Sequence, residues 1–151
     1  MSGSKFVYVT YIKTTPAKLW LALTDPKIIE KYWFGLRMES DLKQGSNWKF
    51  YAKDELMDSG KILHVKPKRL LVRSWQNEWR PNLKKEGVSR CIYEIKKMGD
   101  SMQLTVTHTM RKPNSKFIKI VAAGWPMCIS NLKTWLETGG IALSEPPGHD
   151  D

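Results

Sequence analysis

No apolar run in this sequence approaches the roughly 20 residues of a membrane-spanning helix, so helical membrane insertion is excluded. The opening Met-Ser-Gly-Ser-Lys lacks the charged-then-apolar pattern of a secretory signal. No Asn-x-Ser/Thr glycosylation acceptor occurs. The expected location is the cytoplasm. Cysteine is nearly absent: Cys91 and Cys128, without Cys-x-x-Cys or metal-ligand spacing, read as small buried hydrophobes rather than a disulfide framework. There is no Gly-x-Ser-x-Gly elbow, no Gly-rich phosphate loop and no His-Glu-x-x-His pair. His64, His108 and His149 are far apart in sequence. No catalytic residue, metal or cofactor is therefore expected, and no enzymatic activity.

Acidic residues are in the minority, 15 against 25 Lys and Arg, for a net charge of +10. A charge of that size raises the question of nucleic-acid or anionic partners. The lysines, however, are dispersed along the chain and read as a solvated surface. No nucleic-acid module motif appears, and specific nucleic-acid binding is not expected. Apolar residues make up 41% of 151, enough for one globular domain with a sizeable core.

Tryptophan is abundant, seven in all, and the apolar pattern has a clear order. Residues 6–12 read as a strand. Thr15-Pro16 and Asp25-Pro26 each start a short helix, since Thr and Asp cap and Pro suits the first helical turn. Strands are expected over 36–42, 47–52, 61–65, 69–77, 90–98 and 101–110, with a polar loop around 81–87. Met102, Leu104, Val106, His108 and Met110 alternate with Gln103, Thr105, Thr107 and Thr109, which marks a half-buried antiparallel strand. From 115 to 137 the period becomes helical. Phe117, Val121, Trp125, Cys128 and Leu132 form the apolar stripe, while Lys116, Lys119, Asn131, Lys133 and Glu137 fall on the polar face. The expected fold is α+β: a curved antiparallel sheet of about six or seven strands wrapped around a long C-terminal helix, with two short helices after the first strand.

Several segments carry a resemblance. Tyr11-Ile12 with Thr15-Pro16, the run Leu19-Trp20-Leu21-Ala22-Leu23-Thr24-Asp25-Pro26, Tyr32-Trp33-Phe34-Gly35, Trp48-Lys49-Phe50 after Gly45, and Gly60-Lys61-Ile62 are its first half. Arg69-Leu70-Leu71 leading to Trp75, the segment from Leu104 to His108, Gly124-Trp125-Pro126, Asn131-Leu132, and Leu136-Glu137-Thr138-Gly139 are its second. Over residues 5–139 the chain resembles the activator of heat-shock-protein-90 ATPase homologue family of the START-related SRPBCC superfamily. The resemblance implies a helix-grip domain, set at 1–139, and the Pro- and Gly-containing stretch 140–151 reads as a disordered tail. It also implies a cavity that binds lipids, hormones or polyketides in members of the superfamily.

A sheet curving away from one helix leaves room for a small ligand. Strand parity and the helix stripe put Trp33, Trp48, Phe50, Trp75, Tyr93, Met110, Val121 and Trp125 around that space. These rings either line a pocket or pack a core. His108 shares parity with Val106 and Met110, and Arg73 lies between Leu71 and Trp75. Either both are satisfied structural residues, or they anchor the polar end of an apolar ligand, such as a carboxylate. The function expected is binding of a small apolar or aromatic molecule. The alternatives are a cochaperone-like module acting on a heat-shock chaperone ATPase or another protein partner, and a cavity enzyme.

Overall fold

The computed structural model describes residues 3–145. In chain order the elements are β1 (Ser4–Ile12), α1 (Pro16–Thr24), α2 (Pro26–Tyr32), β2 (Arg37–Ser40), β3 (Asn47–Ala52), β4 (Glu55–Lys66), β5 (Leu70–Asn77), α3 (Pro81–Lys84), β6 (Ser89–Met98), β7 (Ser101–Met110) and α4 (Lys116–Thr138). The seven strands form one antiparallel sheet in the order β1-β7-β6-β5-β4-β3-β2. The expected helix-grip architecture is present, with two short helices after β1 and the long helix last.

Local chemistry explains the helix boundaries. The Thr15 hydroxyl accepts from the Lys18 amide and the Asp25 carboxylate from the Lys27 amide, and Pro16 and Pro26 open the two helices. Ser115 caps α4 by accepting from the Ile118 amide. Pro126 lies inside α4 and has no N–H to give the preceding turn. None of the described helices is long and apolar enough to cross a membrane.

Three local expectations change. The strand expected at 61–65 is β4, twelve residues from Glu55 to Lys66, with register shifts against both β3 and β5. Its first half, Glu55 to Gly60, pairs with β3. A glycine inside it has a steric cause: a Cβ on Gly60 would stand 1.9 Å from the Ser74 carbonyl oxygen and 2.6 Å from the Trp48 indole nitrogen. The expected polar loop contains α3, whose Leu83 is buried. Asn131, expected on the polar face of α4, is fully buried. Its amide donates to the Tyr32 and Leu143 carbonyls and accepts from the Leu143 amide. The segment after α4 is thereby tied back at Leu143, and the remainder of the expected tail, 146–151, lies outside the described residues.

The core lies between the inner sheet face and α4. β7 buries Met102, Leu104, Val106, His108 and Met110, and β6 buries Ser89, Cys91, Tyr93 and Ile95. The pairing register sets Arg73 beside Cys91, and Cys91 beside His108, in one row across β5, β6 and β7.

Candidate functional site

The inner sheet face, α2 and α4 bring the sequence-selected aromatics together. The Trp33 ring stands 5.1 Å from Phe50, 5.2 Å from Trp125 and 6.2 Å from Trp75, centroid to centroid. Trp48 meets Trp75 at 4.8 Å and Phe50 at 5.2 Å. Trp125 meets Tyr93 and Trp75, each at 5.8 Å. Most contacts are edge-to-face or tilted, the arrangement that ring quadrupoles favour. These rings occupy the space between sheet and helix. Trp48, Phe50, Trp75, Tyr93 and Trp125 are buried, whereas Trp33 and Val121 are only partly so and pack onto the cluster from its rim. Met110 is buried at the far end, where its sulfur meets the Ser115 hydroxyl.

Two polar groups sit within this apolar cluster, and their surroundings differ. His108 is fully buried. The Trp125 indole N–H, which can only donate, reaches His108 Nδ1 at 3.1 Å. Nδ1 is therefore the acceptor, and the proton of the neutral ring is on Nε2. That N–H donates to the Ser89 hydroxyl at 2.8 Å, and the hydroxyl donates to the Trp75 carbonyl at 2.9 Å. Every polar atom in this relay has a partner. Burial, helped by the nearby Arg73 charge, pushes the His108 pKa from 6.5 down to about 3. The polarity of this Ser–His pair is opposite to that of a nucleophile and its base, because the ring offers serine a proton rather than a lone pair.

Arg73 is 3% exposed and sits in an aromatic cage. Its guanidinium carbon lies 4.6 Å from the ring centres of Trp48 and Trp75, 5.2 Å from Tyr93 and 5.8 Å from Phe50. One terminal nitrogen donates to the Tyr93 hydroxyl at 3.1 Å. Nε is buried without a partner. Among the described residues Arg73 forms no ion pair. Cation–π attraction and the weak hydration of guanidinium make such burial tolerable, but a desolvated charge without a carboxylate remains costly.

Asp58 is not evident in the sequence as a site residue. It lies on β4 opposite Asn77 and accepts the Trp75 indole N–H at 3.0 Å. Burial raises its pKa from 3.8 to about 6, while the Trp75 hydrogen bond and the Arg73 charge pull the other way. Trp75 thus binds Asp58 through its nitrogen and lies against Arg73 with its ring. The strand-breaking look of the segment ending Asp58-Ser59-Gly60 hides this residue. The signal that could find it is strand parity, which it shares with the inward Ile62 by way of Gly60.

Cys91 and Cys128 are buried thiols with pKa values raised to about 11 and about 12 by desolvation. Among the described residues no group of three or more His, Cys, Asp and Glu is placed to hold a metal.

Comparison with solved structures shows the same fold in proteins of low identity. CalU16 from Micromonospora echinospora is 22% identical with a TM-score of 0.74, over 91% of this chain and 78% of that one. The Aha1 dimer from Colwellia psychrerythraea is 19% identical with a TM-score of 0.72, over 90% and 98%. PFC0360w, an HSP90 activator from Plasmodium falciparum, is 19% identical with a TM-score of 0.66, over 82% and 88%. No curated protein matches the chain. The sequence model of one family does match, across residues 13–137, and by that match the chain belongs to the Activator of Hsp90 ATPase homolog 1-like protein family.

Proposed function

We propose that the protein binds a small apolar or aromatic molecule between the sheet and α4, in the place held here by the Trp33 ring. The observation behind this reading is the position of Trp33: the partly exposed member of a continuous aromatic cluster, touching Phe50, Trp75 and Trp125. It caps the C-terminus of the seven-residue helix α2 and is followed by Phe34 at φ 51° and Gly35 at φ 79°. A bulky residue in the left-handed region costs about 1–2 kcal/mol, so the turn that holds the plug is strained and can relax outward. An aromatic ligand would then meet the same three rings that the indole meets.

The test is titration with phenylnaphthylamine, a neutral apolar probe whose fluorescence rises on leaving water. The expected affinity is about micromolar, as for an unspecialised apolar pocket. Trp33→Ala is expected to take up free indole in the vacated space, as engineered apolar cavities do. Absence of probe binding to the wild type, together with no indole uptake by Trp33→Ala, would refute the reading.

A second reading follows from the family itself. The family is named for activation of the Hsp90 ATPase, and the Plasmodium relative is an HSP90 activator. A cochaperone-like action of this chain would use its surface. The outer face of β1 offers Val7, Val9 and Tyr11, each about half exposed. Stimulation of an Hsp90-type ATPase by the wild type, reduced by Val9→Lys with ring-cluster fluorescence unchanged, would support it. An unchanged ATPase rate would exclude it.

A further inference from the structure

We propose that Arg73, Trp75 and Asp58 form a proton-linked acid site: the acid group of an apolar or aromatic acid takes the free edge of the Arg73 guanidinium, and Asp58 takes up a proton from solvent as it binds. This rests on the ligand-binding reading above and adds to it the class of ligand and the control of its affinity.

The geometry carries three parts of the argument. First, Arg73 is a buried cation with an unpartnered Nε and no ion pair among the described residues. Guanidinium presents its N–H groups as a planar fork that matches a carboxylate, sulfonate or phosphate. Secondly, the walls of its cage are aromatic faces, so the acid group it receives belongs on an apolar body. Trp75 and Phe50, two of those walls, also touch Trp33, so the plug packs directly against the cage. Thirdly, the carboxylate that couples electrostatically to Arg73, Asp58, is hydrogen-bonded to Trp75 rather than paired with the guanidinium. It couples to the Arg73 charge without forming an ion pair among the described residues, and Arg73 Nε stays without a partner.

An incoming anion would place a second negative charge against Asp58 in a medium of low dielectric. Two such charges near one cation are not stable together, and the one that can be neutralised is the one that gives way. The other titratable groups around Arg73 do not change state near neutral pH. Burial keeps Tyr32, Cys91 and Tyr93 protonated, and it keeps His108 neutral. The remaining charge facing Asp58 is Glu78, which the hydrogen bonds from Lys84 and Ser59 hold ionised although burial opposes it. Asp58, half-titrated at about pH 6, is the group left to respond. Binding raises its pKa further, so affinity increases as the pH falls towards that value and levels off below it. His108, the other candidate anchor, has both ring nitrogens engaged and is not part of the site.

The experiment compares phenylnaphthylamine with its sulfonated analogue, anilinonaphthalene sulfonate, whose own charge does not change with pH. Between about pH 8 and about pH 6 the sulfonate is expected to bind more tightly by up to about tenfold per pH unit, while the neutral probe stays flat. Calorimetry in buffers of different ionisation enthalpy should show uptake of up to about one proton with the sulfonate alone. Asp58→Asn should bind the sulfonate tightly across the whole range with no pH slope. Arg73→Met should lose the sulfonate and keep the neutral probe. Sulfonate affinity that is flat with pH, or a slope that survives Asp58→Asn, would overturn the proposal while leaving apolar binding intact. If neither probe binds, the apolar-ligand reading fails, and this proposal with it.

Discussion

His108 and Arg73 are buried on one face of one sheet, in one cross-strand row on either side of Cys91, and they meet opposite fates. Around His108, a donor-only indole, an imidazole, a hydroxyl and a carbonyl form a relay in which each group has its partner. Around Arg73 there are four ring faces, one phenol and an N–H with nothing to bond. Low dielectric strengthens both situations: a closed network becomes rigid, and an open one becomes a standing electrostatic demand. Polarity inside a core is therefore not by itself a sign of a site. The open valence is the sign, and here it belongs to Arg73.

The largest expected effect tests the closed side. His108→Ala removes a ring packed on Trp75, Phe117 and Trp125, strands the Trp125 N–H and leaves the Ser89 hydroxyl without the proton it accepts, though still donating to the Trp75 carbonyl. A loss of about 4 kcal/mol is expected, read as a lower denaturant midpoint with unchanged slope. A loss below about 1 kcal/mol would mean the network is not closed as described.

The next effect sets the two sides against each other through pH. The native pKa of His108 is depressed from 6.5 to about 3, so the unfolded chain takes the proton first and stability is lost as pH falls through that window. The native pKa of Asp58 is raised from 3.8 to about 6, so the folded chain takes the proton first and stability is lost as pH rises through that window. Between about 4 and about 6 the two contributions oppose each other. Asp58→Asn removes one of them. It should be about 3 kcal/mol more stable than wild type near neutral pH, with the difference vanishing towards about pH 4. Paired urea titrations across that range check it, and a constant difference would break the assignment.

The smallest effect is the sharpest contrast. Arg73→Met keeps the volume and removes a desolvated charge without an ion-paired partner. It is expected to leave stability unchanged or raise it by about 1–2 kcal/mol, as replacement of buried charge by apolar groups often does. In thermal melts the midpoint should fall for His108→Ala and hold or rise for this variant. A strong destabilisation by Arg73→Met would show that the cage depends on the cation rather than merely containing it.

Alternation makes the β7 face legible, and the 3.6-residue stripe with Ser115 at its start makes α4 legible. The same parity turns His108 inward before any contact is known, whereas for Arg73 Leu70, Val72 and Ser74 offer the opposite face and the structure decides. Asn131 and Asp58 escape such a reading for a shared reason: a polar side chain looks like surface unless its buried partner is visible. Their partners are Leu143, twelve residues on, and Trp75, seventeen residues on.

What the sequence determined by itself is therefore periodic and local. It set the order of the strands with α1, α2 and α4, the caps that bound those helices, the inward face of β7 and the apolar stripe of α4, and the family that this order identifies. Which polar atom meets which was decided by tertiary structure alone. Strand register put Trp75 opposite Ser89 and Arg73 opposite Cys91, and helix docking brought Trp125 onto His108. Hydrogen bonds form at about 3 Å with strict direction, whereas burial needs only the correct face, so pattern fixes the second and packing fixes the first.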